Sequence, residues 1–337
     1  MTTSDAPLDA LQETLAQALG SDRVARNRPL GPLTTFRIGG PADLFVEPRS
    51  EDELVFCLEA ASRHDVPVTL LGGGSNVLVA DRGVRGLVLR PQDRRIVLES
   101  PSRVRAAAGV TINGLVRWMI GHGLSGLEAW AGTPGTVGGG IYGNAHYGGR
   151  LLSEYVVSVR LATPAGDVID VPADQMAFAY DRSRLQESGE ILLSAVFAVS
   201  PGQPDALRAT ARESLAYRKR TQPLAAPSAG CIFRNPGPDE VPDGIPASAG
   251  ALIDRAGLKG AREGGAMVSP THANFIVNAG DATAADIRRL VERCRAAVER
   301  RFGIRLLEEI VYMGDFEQDG GDGSHSAQGK PDGRHAR

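Results

Sequence analysis

Residues 227–236, PSAGCIFRNP, set one thiol, Cys231, between a glycine and an apolar pair and then run into Arg234, Asn235 and Pro236. A thiol can serve as nucleophile, metal ligand or acid, and the arginine and amide after it are groups that hold anions. The ordinary account of a lone cysteine is a small side chain filling a gap in a core. Cys57 and Cys294 lie far from Cys231 in the chain, so neither a disulfide framework nor a zinc site is expected, and the six histidines show no metal-ligand spacing. A second basic cluster, YRKRTQP at 217–223, offers Arg218, Lys219 and Arg220. The arginine fork can bond two oxygens of a diphosphate at once, although such a run is ordinarily a solvated face. In LLEEIVYMG, Glu308 and Glu309 point to opposite faces if the segment is a strand.

Two glycine-rich loops bear on a cofactor. In LLGGGSNVLVAD (70–81), Gly72, Gly73 and Gly74 free the backbone to present consecutive N–H groups to a phosphate, with Ser75 and Asn76 as side-chain donors. Val77 replaces the third glycine of a Rossmann fingerprint, and no Gly-Lys-Ser/Thr follows to make a P-loop. The second loop, AGTPGTVGGGIYGNAHYGG (131–149), has eight glycines in nineteen residues and allows close approach to an extended ligand. Either loop alone reads as a turn. Two of them, about sixty residues apart and each leaving a strand or helix, point to one dinucleotide shared between them.

The elements that must position these groups follow from periodicity. Leu8, Leu11, Leu15 and Leu19 form one face of a helix ending at Gly20. Ser50 followed by Glu53 opens a second helix whose stripe is Leu54, Cys57, Leu58 and Ala61, which makes Cys57 a core residue. The strands ADLFVEP, VPVTLL, GLVLR and RVRAAAG are expected around that helix. A third helix carries Ile112, Leu115, Val116, Met119 and Ile120, and VVSVRLATPAGDVIDV reads as a hairpin about residues 164–167. PGQPDAL at 201–207 reads as a junction. Beyond it, Thr283 caps a helix with the face Ile287, Leu290, Val291, Cys294 and Val298, stopped by Gly303. The expected organisation is an N-terminal helix (1–20), a first unit bearing one glycine loop (21–91), a second bearing the other (92–205), a third unit (206–316) and a disordered tail (317–337).

Composition sets the outer limits. The 337 residues are 42% hydrophobic and 23% charged, with a formal net charge of −3, so no global field gathers nucleic acid or anionic lipid. No apolar run approaches the roughly 20 residues needed to cross a bilayer, and the acidic, amphipathic start is unlike a secretion signal. A cytoplasmic protein is expected, without nucleic-acid or membrane partners. Nothing in the sequence sets the oligomeric state, and a monomer is compatible with it.

Six segments in order, TTFRIGGPADLFVEP, LLGGGSNVLVAD, GLSGLEAWAGTPGTVGGGIYGNAHYGG, SAGCIFRNP, AGALIDRAGLKGAREGGAMVSPTHANFIVN and LLEEIVYMG, resemble the UDP-N-acetylenolpyruvoylglucosamine reductases. The likeness runs from about residue 30 to about residue 315, and the short passage into the third domain resembles the branch without an extra substrate-covering insertion. The resemblance implies an α+β protein with a two-part FAD-binding region of the vanillyl-alcohol-oxidase (PCMH) type and a C-terminal α/β substrate-binding domain. It further implies non-covalent FAD, NADPH as co-substrate, a UDP-sugar substrate, and reduction of UDP-N-acetylglucosamine enolpyruvate to UDP-N-acetylmuramate for peptidoglycan.

Residue roles carry over position by position. Cys231 stands where the family has its proton-donating serine, a credible exchange because a thiol is the stronger acid. Glu309 matches the catalytic glutamate. The family's catalytic arginine lies in Tyr-Arg-x-Ser, whereas this chain reads Tyr180, Asp181, Arg182, Ser183. An aspartate beside developing negative charge repels it, so Arg182 is expected to swing into the site, with Arg184 as the weaker candidate, and Asp181 to face away. FAD contacts are expected from Gly73, Gly74, Ser75, Asn76, Thr133, Pro134, Gly135, Thr136, Gly138 and Asn144, and substrate contacts from Tyr180, Arg218, Asn235 and His272. Two other readings stay open here: a flavin-dependent oxidase of the same superfamily, and a non-catalytic flavin or nucleotide-sugar binding protein. Neither glycine loop carries a histidine at the usual flavin attachment point, His146 lying late in the second.

Overall fold

The computed structural model describes residues 6–316; the expected tail lies outside the described residues. Helix α1 (Ala6–Leu19) and helix α2 (Glu51–Arg63) pack on a mixed sheet of β1 (Val24–Pro29), β2 (Pro41–Val46), β3 (Val68–Leu70) and β5 (Val84–Leu89), ordered β1-β2-β5-β3. Leu11 and Leu15 of α1 and Leu54, Cys57 and Leu58 of α2 meet Leu44, Leu87 and Leu89 of the sheet. Each such fully buried side chain contributes roughly 1.5–3 kcal/mol. Ser50 caps α2 by accepting from Glu53 N at 3.1 Å, while the Glu53 carboxylate reaches Arg49 N (2.7 Å) and Arg23 instead of closing the box on Ser50.

Strand β4 (Val77–Val79) leaves this sheet, and β6 (Ile96–Ser100) and β7 (Arg103–Ala107) begin another. The strand RVRAAAG was expected around α2; it pairs instead with Ile191–Ala198 in the second unit, because Val104 and Ala106 face that unit's core. The second sheet is antiparallel throughout, and β8 (Val156–Ala162), β9 (Val168–Pro172) and β10 (Ile191–Ala198) complete it in the order β9-β8-β10-β7-β6. Helix α3 (Ile112–Gly121), capped by Thr111, and the short helix α4 (Val137–Tyr142) cover one face. VGGGIY has no helical stripe, so the sequence predicts loop where α4 forms.

Helix α5 (Pro204–Thr221) starts at the expected junction, but Leu207 and Ala211 are buried in the second unit's core and Ser214 Oγ donates to Ala129 O at 2.6 Å. The helix therefore packs with the second unit. Beyond residue 222, helix α6 (Ala249–Arg255) and helix α7 (Ala284–Phe302) pack on a small antiparallel sheet of β11 (Arg262–Glu263), β12 (Ala266–Val268) and β13 (Ile276–Asn278). Thr283 and Asp286 form a reciprocal capping box at the start of α7, and Gly303 ends it at φ +70.

Three seams join the third unit to the first. The last strand, β14 (Val311–Met313), pairs in parallel with β4. Asn278 Nδ2 donates to Phe36 O at 3.1 Å. Asp81, just after β4, accepts from Ala284 N at 2.9 Å and Ala285 N at 3.2 Å, so a carboxylate of the first unit caps a helix of the third. Asp81→Ala is expected to cost about 1 kcal/mol in urea denaturation, with faster amide exchange confined to Ala284 and Ala285. An unchanged midpoint and unchanged exchange would mean that the seam holds without this cap.

Candidate active site

Between the three units lies an open cleft of about 1940 Å³, more than the 300–1,000 Å³ of a pocket for one small ligand. Its floor is made by the two glycine loops packed on each other. A Cβ on Gly73 would stand 2.7 Å from Gly135 Cα, one on Gly72 2.8 Å from Thr136 Oγ1, and one on Gly74, at φ +65, 2.3 Å from Leu33 O. Side chains are thus excluded where the loops meet, and the backbone itself faces the cavity, as an extended phosphate-bearing ligand requires. Ser75, Asn76, Thr133, Pro134, Gly135, Thr136 and Gly138 line it with Gly73 and Gly74. Asn144 does not. Its fully buried amide donates to Ala179 O (2.8 Å) and accepts from Ser153 N (3.0 Å), so it braces a neighbouring turn.

Asn76 has a second task. Its Nδ2 donates to Glu309 O at 3.1 Å and its carbonyl accepts from Val311 N at 3.0 Å, which ties the segment bearing Glu309 directly to the first glycine loop. Side-chain alternation then separates the acidic pair. Both border the cleft, but the Glu308 carboxylate is held in an ion pair with Arg295 of α7, whereas the Glu309 carboxyl faces Asp181, His146 and Arg234. Burial raises the Glu309 carboxyl to about 7, with Asp181 adding to the rise and His146 and Arg234 opposing it.

Cys231 also lines the cleft. Its segment is clamped by Asn274: Oδ1 accepts from Phe233 N (2.9 Å), Nδ2 donates to Phe233 O (2.7 Å), and the Asn274 carbonyl accepts from Ile232 N (2.8 Å). Burial pushes the thiol up to about 12, Glu309 reinforcing the shift, so sulfur is protonated at neutral pH. Cys57 and Cys294 are fully buried in apolar cores, as their helical positions indicated.

Arg218 is buried against the cleft, with Nη2 donating to Thr133 Oγ1 at 2.7 Å and its guanidinium 3.9 Å from the Tyr147 ring centre. Its Nε has no partner, and burial lowers its pKa. Asn235 lines the cleft while its Oδ1 accepts from Ala249 N (3.0 Å) at the start of α6. Tyr180, expected to contact substrate, is exposed and does not line the cleft; its hydroxyl lies 3.2 Å from His146 Nε2, a cleft residue.

Three further expectations fail on geometry. Arg182 does not enter the cleft: it is half-exposed and donates to Glu187 at 2.6 Å, and Arg184 is held by Glu190 at 2.8 Å. Asp181 points inward instead, its Oδ1 3.1 Å from His146 Nδ1 and its Oδ2 3.6 Å from Arg234 Nε. The reason is the tight turn Ala179–Arg182, closed by reciprocal backbone bonds of 3.1 Å, which sends neighbouring side chains to opposite sides. His272 lies in a separate small hollow with Lys259 and Asp254; Asn274, two residues on, reaches Cys231 instead.

Sequence reading missed His146 and Asp181 as cleft residues. Burial lowers the His146 imidazole's pKa, but the hydrogen bond to Asp181 and the nearby Glu309 outweigh it, and the net shift is upward. One ligand atom each of His146, Asp181 and Glu309 lies within 4.8 Å of the others. A dication among them would face the Arg234 guanidinium across Asp181. Only the composition of the second loop, with a histidine among glycines, hinted at His146.

Comparison with known proteins accords with this geometry. Residues 42–172 match the family model described as FAD binding domain, and 222–313 match UDP-N-acetylenolpyruvoylglucosamine reductase, C-terminal domain. The fold and cleft are those of an FAD-dependent oxidoreductase. The chain is 42% identical to UDP-N-acetylenolpyruvoylglucosamine reductase 2 of Symbiobacterium thermophilum, over 87% of this chain and 92% of that one. It is also 42% identical to the reductase of Anaeromyxobacter dehalogenans, over 91% of each. The crystal structure of the enzyme from Thermus caldophilus superposes with a TM-score of 0.72 at 32% identity, over 86% of this chain and 99% of that one. This chain belongs to the UDP-N-acetylenolpyruvoylglucosamine reductase family.

The Glu309 environment yields a signed test. A carboxyl whose pKa is higher in the fold than in the unfolded chain is protonated preferentially on folding, so its contribution to stability falls as pH rises from about 4.5 to about 7. Glu309→Gln removes that loss. Its stability relative to the parent is expected to be near zero at pH 4.5 and to grow to about 2 kcal/mol by pH 8, read from denaturant midpoints. A pH-independent difference would show that folding leaves the carboxyl's pKa where the unfolded chain has it.

Proposed function

We propose that this protein reduces UDP-N-acetylglucosamine enolpyruvate to UDP-N-acetylmuramate, using NADPH and a non-covalently bound FAD seated on the two glycine loops. The observation that carries the reading is the convergence of a protonated thiol, Cys231, a near-neutral carboxyl, Glu309, and a desolvated arginine, Arg218, on a cleft floored by those loops. Both ring nitrogens of His146 are engaged, by Asp181 and Tyr180, which leaves neither for a covalent flavin tether.

When bound, the flavin supplies the two-electron chemistry between nicotinamide and the enolpyruvyl double bond. The protein's own residues do the rest. Gly73, Gly74, Ser75 and the 133–138 segment would hold the cofactor. Arg218 and Asn235 meet the nucleotide sugar, Arg218 with an Nε that has no other partner. As one end of the double bond receives hydride, charge builds on the substrate carboxylate, and Cys231 gives its S–H proton to the other carbon. A thiol near 12 is a weak acid toward water yet adequate toward an electron-rich carbon held against it. Glu309, able to carry a proton near pH 7, returns one to the sulfur. A soluble role in cytoplasmic wall-precursor synthesis, and through it in growth and division, fits this chemistry; among the described residues no helix is long and apolar enough to cross a membrane.

Cys231→Ala is expected to leave reduction of the flavin by NADPH within a few-fold of the parent and to slow its reoxidation by the enolpyruvyl sugar nucleotide by about 10²–10⁴. Cys231→Ser is expected to recover most of that loss. Anaerobic stopped-flow absorbance separates the halves, and equal loss in both would remove the proton-donor role.

A further inference from the structure

The turn that carries Asp181 is held against its own backbone preference. Asp181 sits at φ +53, a left-handed conformation uncommon for side-chain-bearing residues, though aspartate adopts it more readily than most. Asn144 bonds Ala179 O, Gln186 Nε2 donates to Asp181 O at 2.9 Å, and Ser183 Oγ donates to Tyr142 O at 2.7 Å. Such strain persists where the surroundings over-determine it, as at functional sites. What it secures here is a carboxylate aimed into the cleft, between His146 and Arg234. Asp181 Oδ2 and Arg234 Nε are both shielded from solvent, 3.6 Å apart, and neither completes a hydrogen bond. Arg234 is fixed at its root, its backbone N donating to Leu307 O at 2.9 Å, and its side chain is about one-third exposed along the cleft wall. The guanidinium is thus held in place without being saturated.

We propose that Arg234 is the cation that meets the carboxylate of the enolpyruvyl substrate, and that Asp181 is the positioning residue that aims it. The inference rests on the reductase reading above. A substrate carboxylate entering beside Asp181 and Glu309 meets two anionic groups and needs a cation on the same wall. Arg218 is already committed to Thr133 and stacked on Tyr147, while Arg234, among the described residues, is ion-paired with Asp181 alone. With five N–H donors, the guanidinium can keep Asp181 on Nε and offer its outer edge to the ligand. That bond strengthens as the carboxylate takes on enolate charge, so it acts on the transition state more than on binding.

The test uses the full-length holoenzyme and two nucleotides that differ in the carboxylate: UDP-N-acetylmuramate, which has it, and UDP-N-acetylglucosamine, which lacks it. Binding is followed by calorimetry, and turnover by reoxidation of the reduced enzyme. Arg234→Gln is expected to weaken UDP-N-acetylmuramate about tenfold or more, to change UDP-N-acetylglucosamine less than about twofold, and to slow reoxidation about 100-fold. Arg234→Lys should regain affinity more than rate. Asp181→Asn gives opposite signs for the two possible roles: loss of aim weakens UDP-N-acetylmuramate several-fold, whereas loss of a merely repelling charge tightens it. Circular dichroism and bound-flavin content exclude misfolded variants. Unchanged discrimination in Arg234→Gln would overturn the assignment of the cation, and tighter binding in Asp181→Asn would overturn the positioning role. A parent enzyme that binds neither nucleotide would instead overturn the reductase reading, and the proposal with it.

Discussion

The site depends on one short piece of backbone pairing, the parallel ladder between β14 and β4 with Asn76 at its head. Three residues of the third unit join the first unit at the exit of the first glycine loop. That brings the Glu309 segment and the first glycine loop to the wall of one cleft. Parallel pairing of elements more than two hundred residues apart is costly in chain entropy. It is sustained by the Asp81 cap, the Asn278 bond to Phe36, and the apolar seam in which Phe36, Ile38 and Leu78 of the first unit are buried in the third unit's core.

The chemistry that results is an arrangement of protons and charges around one apolar-backed wall. Cys231 and Glu309 both hold protons more tightly than in water, chiefly because burial penalises their charged forms. Arg218 feels the same penalty with the opposite consequence, a cation whose pKa is lowered and whose Nε lacks a partner. A polyanionic nucleotide sugar entering this cleft relieves the cation and leaves the acids neutral. Complementarity to the substrate is thereby built from desolvation as much as from contact.

Much of this was legible in the chain. The helices with an apolar stripe and an end signal, α2, α3 and α7, lie where period and caps put them, because local residues decide them. The two glycine loops declared a backbone-lined cavity, whereas Cys231 and Glu309 were picked out by the family resemblance, the acidic pair 308–309 being indistinguishable from local sequence alone. Strand partnership was less legible: Arg103–Ala107 has the pattern of a strand, but nothing local says which sheet it joins. The same limit explains Arg182 and Asp181. Their order in sequence is plain, yet which one faces inward is set by a left-handed turn braced by Asn144, more than thirty residues away. His146 and Asp181 meet only in three dimensions, and Asn274, two residues from the more conspicuous His272, acts through its contacts with Cys231 and Phe233.

The clamped, protonated state of Cys231 also bears on its chemical survival. Oxidants and alkylating agents attack thiolates far faster than thiols. A cleft wall that disfavours the anion keeps sulfur inert toward peroxide while it remains able to give up hydrogen to a carbon beside it. The same burial that makes the residue a reluctant acid in water spares it from becoming sulfenic acid between turnovers.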